Sequence, residues 1–383
     1  MARQGVIKSN LTNDIAYKSF MPSFLPLEEG IKFDEKLIQS LVNARTEIAK
    51  LEVLTSRIPN VNLFIAMYVR KEALLSSQIE GTQTTLEDIL DPMVLENTNS
   101  DVKEVISYIQ ACEYGVKRLN ELPLCNRLIK EVHMELMKNS RGQERNPGEF
   151  RHSQNWIGSL GSTLNTAKYI PPNPSDMTLA MGNLENYIHE ESGIDVLIRV
   201  ALIHYQFETI HPFLDGNGRV GRLLIILMLM DCRILTQPVL YISYFLKKNR
   251  TEYYDRMMEV REKGKYEQWI HFFLEAVYES AKDAIDTIDK LDCLHKKIEL
   301  QIQSMGRLSK NALEVFKYLE TNPIIEIQKT SKALGLTYNT VSNIVNEFCR
   351  LGILNKVRNI SRNRIFIFDE YVTILKKDTE KIV

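Results

Sequence analysis

Residues His211 to Arg222 read H-P-F-L-D-G-N-G-R-V-G-R, and a strongly apolar stretch, Leu223 to Met230, follows at once. A Gly-rich turn that feeds a helix leaves backbone N–H groups free at the positive end of the helix dipole, which makes an anion site. Gly216 and Gly218 are expected to allow positive φ and close approach of the backbone to a ligand. Arg219 and Arg222 are of the type that forks onto phosphate oxygens. Asp215 is a hard oxygen ligand suited to Mg²⁺ beside a phosphate. His211 is the side chain most easily poised as a base near neutral pH. A plain helix cap would need one glycine, not this set of charges.

The same twelve residues resemble, at every fixed position, the signature of the Fic family, H-x-F-x-D/E-G-N-G-R-x-x-R. Three further segments extend the resemblance, which covers about residues 30–290. Ser76-Ser77-Gln78-Ile79-Glu80-Gly81 is similar to the family's inhibitory motif, S/T-x-x-x-E-G/N, here N-terminal to the core. Read as residues alone, Ser76 and Glu80 are four apart and share a helix face, and the bland alternative is a solvated glutamate before a glycine cap. Gly148-Glu149-Phe150-Arg151 through Trp156-Ile157-Gly158-Ser159-Leu160 resembles the family's flap, a β-hairpin whose edge can hold a target segment by strand addition. Tyr253-Tyr254, within KKNRTEYYDRM, resembles a segment whose aromatic pair lies by the nucleoside.

The resemblance implies protein adenylylation: transfer of AMP from ATP to a Ser, Thr or Tyr hydroxyl of a target protein, with release of pyrophosphate. His211 is the implied catalytic base and Asp215 the Mg²⁺ ligand. The implied nucleotide-binding set is Gly216, Asn217, Gly218, Arg219, Val220, Gly221 and Arg222, with Ile157, Gly158, Ser159 and Leu160 of the flap and Tyr253 and Tyr254. Ser76, Glu80 and Gly81 form the implied inhibitory set. Two other readings of the same residues remain open, removal of AMP from a modified protein or transfer of another phosphate-containing group, and a DNA-binding regulator. Expected associations are ATP, a target protein, self-modification, a homodimer and, for the C-terminal part, DNA.

Composition frames these readings. The 383 residues allow two or three domains, with 44% hydrophobic and 25% charged residues and a formal net charge of −1. Nothing in that balance pulls the chain as a whole toward nucleic acid or membrane. The five cysteines are scattered and odd in number, which favours buried reduced thiols in a cytoplasmic protein. The start lacks an apolar signal core, and the run near 223–230 is too short to span a bilayer.

The expected fold is mainly α: a Fic-type helical core with a short β-hairpin flap, plus a C-terminal winged helix-turn-helix domain. Helical periodicity covers 33–87 with a break near Pro59, then 102–119, 126–139, 176–189, 195–208, a helix from about Gly218, and 251–303. Between 145 and 174 the Gly, Asn, Ser, Thr and Pro content predicts a hairpin pairing Trp156–Leu160 with Lys168–Ile170. Helices at 310–321, 327–335 and 338–351 precede two alternating stretches, 353–357 and 364–368, the order of a winged helix. Outward Asn339, Thr340, Ser342 and Asn343, with Lys356, Arg358, Arg362 and Arg364 on the wing, suit DNA; the helix is poor in Lys and Arg, which suits protein contacts instead. The expected division is an N-terminal helical region with the inhibitory segment (1–95), a catalytic core (96–303) and the winged helix (309–375). The linker is expected near Ser304–Leu308, so a chain ending near Met305 is expected to keep its chemistry.

Overall fold

The computed structural model describes residues 3–11, 16–57, 61–92, 99–139, 145–159, 161–191, 193–357, 364–376 and 379. Its centre is an antiparallel pair of helices, α7 (Val196–Ile210) and α8 (Asn217–Asp231), once α1 (Glu35–Arg57), α2 (Val61–Ile79), α3 (Leu86–Leu90), α4 (Ser100–Arg118), α5 (Asn126–Met137) and α6 (Pro174–His189) have been laid down. Every residue of α7 from Leu197 to Ile210 is buried, as is α8 from Arg219 to Leu229. Helices that are apolar all round belong inside a protein, and here α2, α4, α5, α6 and α11 (Tyr266–Gln303) surround them.

Several helices end where the sequence places an obligate left-handed residue. α2 stops at Ile79, not near 87, because Gly81 takes φ 101°. The chain re-enters a helix only at α3, whose Thr85–Asp88 capping box starts it afresh. The long helix expected over 251–303 is two helices, α10 (Arg250–Lys263) and α11, broken at Gly264 with φ 66°. A Cβ at Gly264 would stand 3.1 Å from the Gln4 nitrogen, so the break also admits the N-terminal strand. Short α9 (Ser243–Lys248) precedes α10.

Two antiparallel strands, β1 (Val6–Asn10) and β2 (Tyr17–Met21), were not expected in an N-terminal region read as helical. Phe20 N–H of β2 donates to the Ile170 carbonyl at 2.9 Å, which sets this ribbon beside the flap. The flap itself is less regular than predicted. Ile157 and Tyr169 form one antiparallel bridge, with N–H···O distances of 2.9 and 3.0 Å, and no longer ladder is made among the described residues. The Gly-, Ser- and Thr-rich tip folds on itself instead, with Trp156 Nε1–H donating to the Ser162 carbonyl at 2.8 Å.

The C-terminal part runs α12 (Ser309–Thr321), β3 (Ile324–Glu326), α13 (Ile327–Leu334), α14 (Tyr338–Arg350), β4 (Asn355–Lys356), β5 (Ile365–Ile367) and α15 (Asp369–Lys376). The strands form one antiparallel sheet in the order β3-β5-β4. β3 and α15 were not read from the sequence, and Arg358 and Arg362 lie outside the described residues. This part is not set apart from the rest: α12 and α15 pack on α2 and α11, and their side chains join one continuous apolar core. Lys376 pairs with Glu87 of α3, Lys329 Nζ donates to the Pro92 carbonyl at 3.0 Å, and His295 of α11 meets Glu320 at 2.6 Å.

Of the five cysteines only Cys112 is fully buried; Cys125, Cys232 and Cys349 are half-buried and Cys293 is exposed, which corrects the reading of all five as buried packing residues. No described helix is long and apolar enough to cross a membrane.

Candidate active site

The His211–Arg222 run is the connection between α7 and α8, and both its ends rest on left-handed residues. His211 closes α7 with φ 52° and Gly216 opens α8 with φ 75°. A histidine in that conformation is uncommon and must be held. Arg151, 2% exposed, holds it: its Nε donates to the His211 carbonyl at 3.0 Å, and its backbone N–H donates to the Pro212 carbonyl at 2.9 Å. Asn155 Nδ2 donates to the carbonyls of His211 and Phe213, at 3.2 and 2.9 Å. Asn217 closes the loop from the other side. Its Oδ1 accepts the Phe213 N–H and its Nδ2 donates to the Phe213 carbonyl, both at 2.8 Å. Its side chain therefore braces the loop. His133 packs flat on Phe213 at 3.7 Å between ring centres. Its Nδ1 accepts the Gly148 N–H at 2.9 Å, so its Nε2–H donates to the Asp215 carbonyl at 3.1 Å.

His211 is half-buried and its Nδ1–H donates to the Glu208 carbonyl at 3.3 Å. That bond leaves the Nε2 lone pair as the basic site. Burial lowers its pKa to about 4, against the pull of that hydrogen bond, so the ring is neutral and able to accept a proton at neutral pH.

The first turn of α8 presents the N–H groups of Asn217, Gly218 and Arg219 at its open end. Glycine at 218 serves differently from the expectation. Gly218 is helical, and what matters is its missing side chain: a Cβ there would stand 2.3 Å from Glu80 Oε1. The Glu80 carboxylate thus lies over the anion site itself. It reaches there because α2 ends one residue earlier and is pinned by its last turns. Glu72, one turn before Ser76, accepts hydrogen bonds from Tyr108 and from the Ser243 hydroxyl. Arg222, 3% exposed, donates from Nε to Ser76 Oγ at 2.8 Å, and from Nη2 to the Ser76 carbonyl at 2.9 Å and Glu80 Oε1 at 2.7 Å. Burial by itself would raise the Glu80 carboxyl; Arg222 beside it, with Arg219 and His211, holds it below the usual carboxylate value.

Asp215 is half-exposed at the loop's mouth, its Oδ1 accepting the Gly216 N–H at 2.6 Å and its Oδ2 lying 3.1 Å from Arg145 Nη1. No cluster of three or more His, Cys, Asp or Glu side chains able to hold a metal occurs among the described residues. A lone carboxylate at a phosphate site fits Mg²⁺, which takes most of its ligands from water and phosphate oxygens. Arg219 is 4% exposed and lies 3.5 Å from Glu104 and 3.8 Å from Asp215. Its Nε and Nη1 have no hydrogen-bond partner.

Other expected contacts are redistributed. Val220 sits in the core, its N–H spent on the Gly216 carbonyl. Gly221 packs against Glu208, whose Oε1 would be 2.0 Å from a Cβ there. Tyr253 is buried among Trp269 and Phe272, and its hydroxyl donates to His204 Nε2 at 2.9 Å, so its ring is not offered to a nucleoside. Tyr254 is half-buried, with Arg250 at 5.8 Å over its ring. Ile157 is half-buried, Gly158 and Ser159 are exposed, and Leu160 lies outside the described residues. Sequence reasoning missed His133, Arg145, Asn155 and Glu104, which reach the loop from distant parts of the chain and carry no local signal, and Glu208, which lies just before His211 in a stretch read as plain helix.

Residues 38–117 match the family model described as Fic/DOC family N-terminal, and residues 123–229 the one described as Fic/DOC family. Residues 38–229 are a Fic-family region. Protein adenylyltransferase Fic from Drosophila persimilis is 27% identical over 252 residues, covering 62% of this chain and 44% of that protein. Its namesake from Drosophila erecta is 30% identical over 202 residues, covering 51% and 37%. The chain thus spans less than half the length of these curated relatives. A Fic family protein from Desulfovibrio desulfuricans G20 shares the fold, with TM-score 0.57 and 18% identity over 88% of this chain and 97% of that one. So does a Fic domain containing signaling protein from Bacteroides thetaiotaomicron VPI-5482, at TM-score 0.51 and 15% identity over 65% and 97%.

Proposed function

We propose that the protein transfers AMP from ATP to a hydroxyl side chain of a target protein, releasing pyrophosphate, and that Glu80 restrains it. The observation that carries this reading is the pairing of a neutral, open-sided His211 with a helix N-terminus whose strongest cation, Arg222, is taken by Glu80. His211 Nε2 takes the proton of the attacking Ser, Thr or Tyr hydroxyl. The hydroxyl oxygen bonds to the α-phosphorus as the bond from that phosphorus to the pyrophosphate oxygen breaks. The N–H groups at the start of α8 hold the phosphoryl oxygens as their charge grows. Arg222 binds the terminal phosphate once Glu80 has left it. Arg219, buried beside Glu104 and Asp215, is a second cation near that end of the nucleotide. Asp215 is the residue that would hold Mg²⁺, which when bound offsets charge on the leaving pyrophosphate. Tyr254 lies against the nucleoside, and the flap around Ile157–Ser159 takes the target in extended form.

The test is incubation of the protein with Mg²⁺ and ATP labelled at either the α- or the γ-phosphate, using the protein itself and candidate targets as acceptors. Label from the α position on protein, lost in excess EDTA, is expected. Label from the γ position, or none in a Glu80→Gly variant, rejects AMP transfer.

The C-terminal part supports a second proposal, that it is a winged helix-turn-helix module that binds duplex DNA. Between Ser309 and Lys376 there are ten Lys or Arg and six Asp or Glu, and Asn339, Asn343 and Asn346 are exposed along α14. Amides of this kind reach base edges while wing cations such as Lys356 and Arg364 reach phosphates. Binding to a duplex that weakens steeply with salt is expected; no binding at low salt rejects it.

A further inference from the structure

Beside the turn that carries Glu80, but lined by no residue of the His211–Arg222 loop, is a cleft of about 520 Å³. One wall is the end of α2 and the turn after it, with Gln78 and Thr82. The other is the junction of α9 and α10, with Lys247, Lys248, Asn249 and Arg250. Three features make it a place for an anion. The N-terminus of the fourteen-residue α10 opens there without a side-chain cap from Asn249, whose Nδ2 is turned back to the Phe245 carbonyl at 3.0 Å; the first N–H groups of a helix have no carbonyl of their own. Three cations line the cleft against a single carboxylate, Glu252, which is itself paired with Arg256 at 2.8 Å. Thr82 is 4% exposed, and its hydroxyl has no hydrogen-bond partner. A buried hydroxyl left unpaired is costly unless a ligand or water completes it.

We propose that this cleft binds a phosphate group, free or carried by a small molecule such as a nucleoside monophosphate, as a second anion site distinct from the α8 site. Its position gives it a lever on Glu80, an effect that rests on the reading of Glu80 as a brake. Gln78 Oε1 accepts from Lys247 Nζ at 2.7 Å, tying α2 to the cleft wall. Thr82 N–H donates to the Ser77 carbonyl at 3.2 Å, and between Ser77 and Thr82 lie Glu80 and the positive-φ Gly81. A phosphate that engages Thr82 and draws on Lys247 acts on both ends of this turn. It therefore changes how firmly Glu80 sits on Arg222.

Equilibrium dialysis of the full chain against ³²P-labelled inorganic phosphate and, separately, labelled AMP tests the site without reference to transfer. Saturable binding is expected in the wild type. It should weaken at least about tenfold in a Lys248→Ala/Arg250→Ala variant, the loss that follows removal of one charge-assisted contact, and Thr82→Val should weaken it too. Binding of phosphate alone marks a free-anion site; binding of AMP alone marks a nucleotide site. Absence of saturable binding of either probe overturns the proposal, as does binding that is unchanged by the double substitution. Binding that strengthens on Glu80→Gly yet ignores Lys248 and Arg250 reports the α8 site and also overturns it. The lever is read separately, as a change in transfer rate with added phosphate in the wild type that disappears in Glu80→Gly; an equal effect in both removes the lever while the dialysis result stands.

Discussion

Glu80 and Arg222, 142 positions apart in the chain, meet at 2.7 Å over the open end of α8, and the Glu80 oxygen that makes the contact fills the space a side chain on Gly218 would occupy. A carboxylate therefore sits against the guanidinium that the proposed function gives to a phosphate. Because Glu72, Ser76 and Lys71 pin α2 to α4, α8, α9 and α11, the residue free to move is Glu80 at its end, beside Gly81.

Replacing Glu80 by Gly should raise AMP transfer by on the order of 10²-fold, the scale of rate lost when reacting groups are held out of line. The measurement is α-labelled ATP incorporation with His211 intact. Equal rates in Glu80→Gly and wild type, both folded and binding ATP, would leave α2 as scaffold alone.

His211→Ala should lower transfer by about 10²–10⁴-fold while ATP binding persists. The wild-type pH profile carries the same information. Burial has already brought the ring to a pKa of about 4, so it stays neutral from pH 8 down to pH 6. A rate that falls in that interval as an unperturbed histidine protonates contradicts this assignment.

Glu208 gives a stability prediction of definite sign. Its side chain is buried against Gly221 with Oε1 unpaired, and burial pushes its pKa up to about 7, Arg222 opposing the rise and Glu80 adding to it. The folded state thus favours the protonated acid. Stability linked to this group is full below the ordinary carboxyl pKa and is lost as pH rises toward 7. Glu208→Gln cannot ionise, so its melting temperature should gain on the wild type between pH 5 and pH 8, by an amount worth on the order of 2 kcal/mol. Melting curves of the two proteins across that range decide it; a constant difference rejects the assignment.

A chain ending at Met305 should keep transfer but lose several degrees of melting temperature. Phe316, Leu319, Tyr371 and Leu375 of the C-terminal part are buried in the same core as α2 and α11, and removing them returns that apolar surface to water. An unchanged melting temperature would mean that the two parts do not support each other.

How much of this was legible beforehand depended on distance along the chain. The His211–Arg222 loop could be read because glycines, charges and the apolar run after it are contiguous, and local rules decide such a turn. The Glu80 segment was legible only through its likeness to a motif: nothing in Ser76–Gly81 says which arginine it meets. The N-terminal ribbon escaped because Val6–Asn10 and Tyr17–Met21 are short and rich in Lys, Ser and Asn, and their pairing is with each other and the flap. Tyr253 and Tyr254 look alike in sequence, and only the helix orientation sends one to Trp269 and leaves the other half-exposed. The resemblance places Asn217 at the nucleotide, and nothing local in the sequence signals that its side chain also braces the Phe213 carbonyl and N–H.

Cys293 is the exposed thiol among the five, on α11 two residues before His295, which bonds Glu320 of α12. Burial raises the pKa of Cys112, Cys232 and Cys349, which slows their reaction with electrophiles. A maleimide dye added in limited amount therefore reacts first at Cys293, ahead of the half-buried Cys125, and marks the outer face of α11 without any engineered change. The emission of that dye then follows α11, the helix on which α12 and α15 rest, in the unaltered molecule.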